Sequence, residues 1–266
     1  MLQRELRAAP VHRRCRLKRA GFVAVTGVTL IWGLVHFGQP LSHQTGEGVL
    51  QTLVLLLIVL ACFVTPAAAS GFFPGEKSRH TLGVLLLTPQ SSLALVLSRV
   101  CCTSVAFALG IVVALPCCAF CLPLMDTHWL NLVAAGAVVL TTGWLGACLG
   151  VFISILLMDR MMAFFLALIS GVCLFVVFPR VVAVSATTTA APYVIDVVLP
   201  AVSPYYAGRQ LFSAPATAGS FAFVVFALVV SAPLIAIAAS LLPKRAYALR
   251  QNVDPRYLER DRKSVV

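Results

Sequence analysis

Charged residues are bunched along this chain, and the uncharged intervals between them cover 20–46, 48–75, 100–125, 127–158, 161–179 and 210–243. Each is long enough for the roughly 20 apolar residues that cross a bilayer as a helix. In lipid every backbone amide needs an internal partner, and a helix supplies one within itself. The two-residue alternation of a membrane barrel strand is absent from these intervals, so helices are expected. The pattern predicts an all-α integral membrane protein with six transmembrane helices near 20–37, 49–73, 97–122, 129–157, 161–179 and 218–242. They form one domain over 20–243, between a basic cytoplasmic or interfacial segment at 1–19 and a basic cytoplasmic tail at 244–266.

Composition points the same way. Of 266 residues, 60% are hydrophobic and 11% charged, with a mean hydropathy of +0.97. A soluble domain carries about a quarter charged residues, so an ordinary soluble fold is excluded. The basic stretch ahead of the first span extends to Arg19, and no small-x-small cleavage site follows Phe37. The first span therefore reads as a retained helix, not a signal peptide. Eight of the nine cysteines sit in or at the edges of apolar spans, Cys15 being the exception. Buried free cysteine behaves as a small hydrophobe. Cys117, Cys118 and Cys121 cluster, which invites a metal or a disulfide, but no histidine or acid stands beside them at metal-site spacing. No metal is expected.

The net charge of +11 would suit a nucleic-acid partner if it were spread over one surface, but it is not. Seven basic residues precede the first span and seven follow the last; Lys77, Arg79 and Arg99 flank the connection after the second, and Arg160 follows the fourth. Only Arg180 and Arg209 are left for the opposite side. Positive charge near helix ends stays cytoplasmic, which places both termini in the cytoplasm and requires an even number of crossings. Residues 181–200 are apolar enough to suggest a seventh helix, but that would export the basic tail. Pro192, Asp196 and Pro200 suit an irregular external segment over 180–215, with room for a short re-entrant or interfacial helix. At the other end, 2–19 mixes apolar and basic residues and is either laid on the anionic cytoplasmic surface or a determinant of topology alone.

The connection between the second and third spans is the most distinctive stretch. A charged cluster (Glu76, Lys77, Arg79, His80) leads into an apolar run from Leu82 to Leu87 that stops at Thr88-Pro89. As a helix, Leu82, Leu85 and Leu86 share one face, and Pro89 ends it. An apolar face on a helix too short to cross must be covered by lipid or by a partner. The plainer reading is a cytoplasmic loop whose charges set topology and whose leucines rest on lipid.

Pro66-Ala67-Ala68, Glu76-Lys77, Thr81-Leu82, Leu85-Leu86 and Thr88-Pro89 together resemble the membrane subunits of type-2 ABC transporters. The opening Arg4-Glu5-Leu6-Arg7 and the later Ser203-Pro204-Tyr205 are similar to elements of the same family. The resemblance implies that 76–89 is a coupling helix docking on a separate cytoplasmic ABC ATPase, through Glu76, Lys77, Arg79, Thr81, Leu82, Leu85, Leu86, Thr88 and Pro89. It also implies that the segment with Arg4, Glu5 and Arg7 runs along the cytoplasmic surface, and that a second permease copy or paralogue completes the pathway. Two positions depart from the family's pattern. Gly83 replaces a larger residue, weakening the helix by about 1 kcal/mol relative to alanine, and Gln90 replaces a commonly apolar one.

Absences narrow the function further. No Gly-x-x-x-x-Gly-Lys-Ser/Thr occurs, so nothing in this chain cradles ATP phosphates; ATP and Mg would belong to the partner subunit, and this chain needs no cofactor. The spans hold almost no ionisable group of the kind a proton- or ion-coupled carrier uses. His36 reads as an interfacial anchor or, less simply, a functional histidine; Asp159-Arg160 reads as a topology marker. Asp196 and Arg209 face outward as solvated charge or as part of an exit path, and Trp32, Trp129 and Trp144 as belt or packing residues. The five histidines are dispersed without i, i+4 pairing, and catalysis by this chain is not expected. The leading expectation is a permease subunit of an ATP-driven exporter in a bacterial inner (plasma) membrane. A non-transporting anchor that passes ATPase motion to a partner, and a secondary transporter, are the alternatives. Lipid, drug, polysaccharide, peptide and ion all suit an apolar pathway.

Overall fold

A computed structural model describes residues 43–74, 91–121, 129–157, 159–173, 177, 180–181, 184, 198–213 and 218–251. Among these the regular elements are helices and there is no strand. In chain order they are α1 (His43–Ser70), α2 (Ser92–Cys121), α3 (Trp129–Leu156), α4 (Arg160–Val172), α5 (Leu199–Val202), α6 (Pro204–Ser213) and α7 (Ala218–Gln251). Four stretches are long and apolar enough to cross a membrane: Leu50–Pro74, Ser92–Val112, Asn131–Leu156 and Gly219–Pro243. They fall on the second, third, fourth and sixth expected spans. The expected first span at 20–37 and the segment 1–19 lie outside the described residues, as do 252–266 of the tail.

Two boundaries differ from the sequence expectation: the start of α2 and the end of α7. Helix α2 starts at Ser92, not near 97, because Ser91 caps it: its Oγ accepts the Ala94 amide at 3.2 Å, and its carbonyl accepts the Leu95 amide at 3.1 Å. Helix α7 passes through Pro243 and continues to Gln251, so the start of the tail is helical. Within the expected 180–215 segment, the stretch around Pro200 is one of the short helices for which that expectation left room. Pro200 sits in the first turn of α5, where its missing N–H is no loss. Helix α6 then packs on α1, α3 and α7.

The buried side chains separate into two groups that fix the helix directions. One joins Leu50–Cys62 of α1, Phe107 of α2, Ala134–Leu145 of α3, Ala207 and Leu211 of α6, and Phe223 and Ala227 of α7. The other joins Ala69 with Phe73, Leu95–Val100, Ala147–Ile155 and Ala238–Leu242. Helices α1, α3 and α7 therefore run parallel and α2 runs against them. The end of α1, the start of α2, the α3–α4 turn and the late part of α7 share one end of the bundle; the start of α7 and the buried face of α6 share the other. Helix α3 is central, with 72% of its apolar stretch buried against 22% for α7. Exposed Val105, Leu109 and Val112 on α2, and Phe221, Val225 and Val229 on α7, form outward faces suited to lipid tails.

Lipid tails are as apolar as leucine, so helices associate in a membrane through close packing at small residues. The α1–α3 contact is of this kind. Gly146 and Gly150, spaced four apart on α3, lie against Thr65, Pro66 and Ala69 of α1. A Cβ at Gly150 would stand 2.5 Å from the Pro66 carbonyl oxygen and 2.7 Å from the Ala69 Cβ. One polar link ties the far side of α3: Trp144 Nε1 donates to Ser231 Oγ of α7 at 3.2 Å.

Overpacking a tight contact costs about 1–3 kcal/mol, so Gly150→Ala should lower the unfolding midpoint of the purified chain. Gly136→Ala on the same helix meets nothing within 4 Å and should leave the midpoint unchanged or slightly raised. Thermal unfolding of both variants in one detergent checks the contrast.

Candidate functional site

The residues expected to form the docking helix, Glu76, Lys77, Arg79, Thr81, Leu82, Leu85, Leu86, Thr88 and Pro89, lie outside the described residues, as do Arg4, Glu5 and Arg7. What the structure describes is how the two ends of that connection are held, and both are fixed by specific contacts.

Helix α1 is prepared for a turn before it leaves the bundle. Pro66 carries no N–H and so frees the Cys62 carbonyl from its usual helical bond. That oxygen lies against Gly171 of α4, where a Cβ would come within 2.8 Å. Next to it Thr65 Oγ1 donates to the Ala61 carbonyl at 2.6 Å, occupying a hydroxyl otherwise stranded in an apolar layer. Helices α3 and α4 thus grip α1 from two sides, with Gly146 and Gly150 on one and Gly171 on the other. Ala163, Ala167 and Gly171 are the buried residues of α4, a stripe of small side chains at four-residue spacing that permits this approach.

Beyond Ser70 the chain makes one more turn and enters the connection. Phe73 is 1% exposed, and its amide donates to Ser154 Oγ of α3 at 3.0 Å. Arg99 of α2 lies over the Phe72 ring, its Cζ 5.2 Å from the centroid, a cation–π distance. Arg160 reaches Gly71, with Nε 3.4 Å from where a Cβ would stand. The connection therefore departs from a point tied to α2, α3 and α4, and returns at the capped start of α2.

Other residues singled out in the sequence take the following places. Asp159 does more than mark topology: it caps α4, its Oδ1 accepting the Met161 amide at 3.1 Å. Trp144 is a packing residue with a hydrogen-bond partner, as above. Ser203 is the break between α5 and α6, and Pro204-Tyr205 opens α6. Ser203 is extended there (φ −111°, ψ 124°), and its amide donates to the Leu199 carbonyl. Its buried Oγ has no hydrogen-bond partner among the described residues. Tyr205 is exposed and meets Tyr206 edge to face at 5.4 Å. Arg180 and Arg209 are exposed. Cys117, Cys118 and Cys121 fall on the final turns of α2, and Trp129 opens α3. Asp196, His36 and Trp32 lie outside the described residues. Among the described residues no group of three His, Cys, Asp or Glu side chains could hold a metal ion.

The sequence expectation passed over Gly146, Gly150, Gly171 and Ser154. The four-residue spacing of small residues on the third and fourth described helices was a legible signal for the glycines. Nothing local marks Ser154, because its partner Phe73 is 81 positions away.

Four helices of spanning length and composition define the class: this is a helical, multi-pass membrane protein. Comparison with known proteins finds no matching family model and no matching curated protein.

Replacing Ser154 by alanine should leave the Phe73 amide buried without an acceptor, a cost of about 1–3 kcal/mol. Faster amide hydrogen exchange across 71–74 than in the native chain is the expected readout. Ser240→Ala, which removes an exposed hydroxyl bonded only to its own helix, should leave that exchange unchanged.

Proposed function

We propose that this chain is the membrane-spanning subunit of an ATP-driven transporter of the type-2 ABC kind, acting as an exporter. One observation carries the reading: the connection bearing Glu76-Lys77, Thr81-Leu82, Leu85-Leu86 and Thr88-Pro89 leaves from and returns to fixed points at one end of the bundle. The helix directions support a shared side for the basic groups. Arg99, Arg160 and the positions of Lys244 and Arg245 on α7 fall at that end, while Arg209 belongs to α6. Assigning the basic end to the cytoplasm follows the positive-inside rule.

On this reading six helices cross the membrane, with 20–37 and 161–179 completing the set and both termini in the cytoplasm. Two cytoplasmic ABC ATPases bind ATP and Mg, and a second permease copy or paralogue supplies the other wall of the pathway. Glu76, Lys77 and Arg79 make rim contacts with the ATPase, Leu82, Leu85 and Leu86 enter its groove, and Thr88-Pro89 gives the helix a stiff corner. Closure of the ATPases on ATP displaces the 76–89 helix. The clamp at Phe73 and the cap at Ser91 pass that displacement to α1 and α2. The pathway then opens between the paired permeases in the plasma membrane, a bacterial inner membrane by resemblance. Catalysis stays with the partner.

Two measurements test this. In a cysteine-free background, Ser78→Cys should react with a membrane-impermeant maleimide in inverted vesicles and not in right-side-out ones; the reverse pattern refutes the docking position. The pair Glu76→Ala and Leu86→Ala should insert normally but weaken ATPase binding by about thirtyfold, the effect of losing roughly 2 kcal/mol at a buried contact. Unchanged substrate-stimulated ATP hydrolysis in reconstituted vesicles would refute the coupling role.

A further inference from the structure

The same turn at the end of α1 carries chemistry that transport coupling does not use. Gly71 and Phe72 are consecutive, and each is met by a guanidinium from a different helix. Arg99 of α2 stands over the Phe72 ring at 5.2 Å; Arg160, the first residue of α4, lies against Gly71 with Nε at 3.4 Å and Nη2 at 3.7 Å from a virtual Cβ. Arg99 is half-buried and Arg160 exposed. Among the described residues neither has a carboxylate or any other hydrogen-bond acceptor. Asp159, the acid next to Arg160 in sequence, has its Oδ1 turned to the Met161 amide as the cap of α4. It adds a negative charge next to Arg160 in sequence but makes no ion pair with it.

The level in the membrane matters. The apolar stretch of α1 ends at Pro74, so Gly71 and Phe72 lie where hydrocarbon gives way to headgroups. Among the described residues no acceptor meets either guanidinium, which leaves their N–H donors open to an anion from outside the chain. A guanidinium offers paired N–H donors that match a phosphate's oxygens, and basic pockets between helix ends are where anionic headgroups settle. From each arginine the helix continues into the apolar layer with exposed hydrophobic side chains, Val105 on α2 and Phe164 on α4, surfaces against which acyl chains can lie. We propose that Arg99 and Arg160, on two helices flanking the end of α1, bind the phosphates of anionic phospholipid headgroups there. The site depends on the membrane class of the protein and not on its having an ATPase partner. Headgroups held there brace α2 and α4 against the end of α1.

The test uses the full chain in zwitterionic detergent micelles, with added phosphatidylglycerol, phosphatidylcholine of the same acyl chains, or inorganic phosphate, and reads the unfolding midpoint. Phosphatidylglycerol should raise the midpoint of the native chain more than phosphatidylcholine does, and that selective rise should disappear in R99Q/R160Q. The single variant R160Q changes an exposed side chain and keeps the fold, so it provides the readout should the double variant fail to fold; it should lose part of the selective rise. Equal shifts with the two lipids, or a selective rise that survives R160Q undiminished, would overturn the site. An equal rise with inorganic phosphate would overturn the lipid as its occupant.

Discussion

The bundle depends on one close approach, that of the Thr65-Pro66 segment of α1 to glycines on two neighbouring helices. A proline inside a membrane helix leaves a carbonyl without its donor, and hydrocarbon offers no water to replace it. The Cys62 oxygen is left in this position, and Gly171 of α4 comes close enough to cover it with its own backbone. The Pro66 oxygen in turn faces Gly150 of α3. Contacts between Cα–H groups and carbonyl oxygens are individually weak, about 0.5–1 kcal/mol each, but they are available only when no side chain intervenes. The proline and the glycines are therefore parts of one device: the first creates exposed backbone polarity, the others bring backbone near enough to shield it.

That contact orders the rest. Once α3 is seated against Thr65, Pro66 and Ala69, its next turns bring Ser154 to the Phe73 amide. With α4 seated at Gly171, its first residue, Arg160, arrives beside Gly71. The polar contacts at the end of α1 thus follow from apolar packing further inside. The reverse does not hold, since a hydrogen bond across membrane helices is worth only about 0.6 kcal/mol on average. Small residues face inward on α4 and large ones outward, Phe164, Phe165 and Ile169 among the exposed. This inverts the habit of a soluble core and suits a solvent of acyl chains.

How much of this was legible in the sequence divides by physical range. Long uncharged apolar runs gave the second, third, fourth and sixth spans, because bilayer thickness imposes a length that few other constraints imitate. Charge set the edges less well. The third span was expected to begin near Arg99, but a cation at an interface is tolerated where an aromatic ring receives it, and the capping Ser91 fixes the true start. Pro200 suits an irregular external segment on composition, and it equally suits the first turn of a short helix, where a proline costs nothing. The α1–α3 and α1–α4 contacts were readable as four-residue spacings of small residues. The pairing of Phe73 with Ser154, and of Phe72 with Arg99, was not, because nothing local in the chain says which helix lies beside which.

The geometry also constrains what the end of α1 can do. From Pro66 to Phe73 is seven residues, about 10 Å of helix at 1.5 Å per residue. The segment beyond the proline is therefore a short arm, gripped at its root by glycines and at its tip by Ser154. An arm of two turns held at both ends has little freedom to bend. Pro66 interrupts the hydrogen-bond ladder at its root, so the glycines and Ser154 supply the restraint that the ladder does not. The backbones of α1, α3 and α4 are brought close where the ladder is weakest, and the end of α1 owes its position to neighbouring helices more than to its own hydrogen bonds.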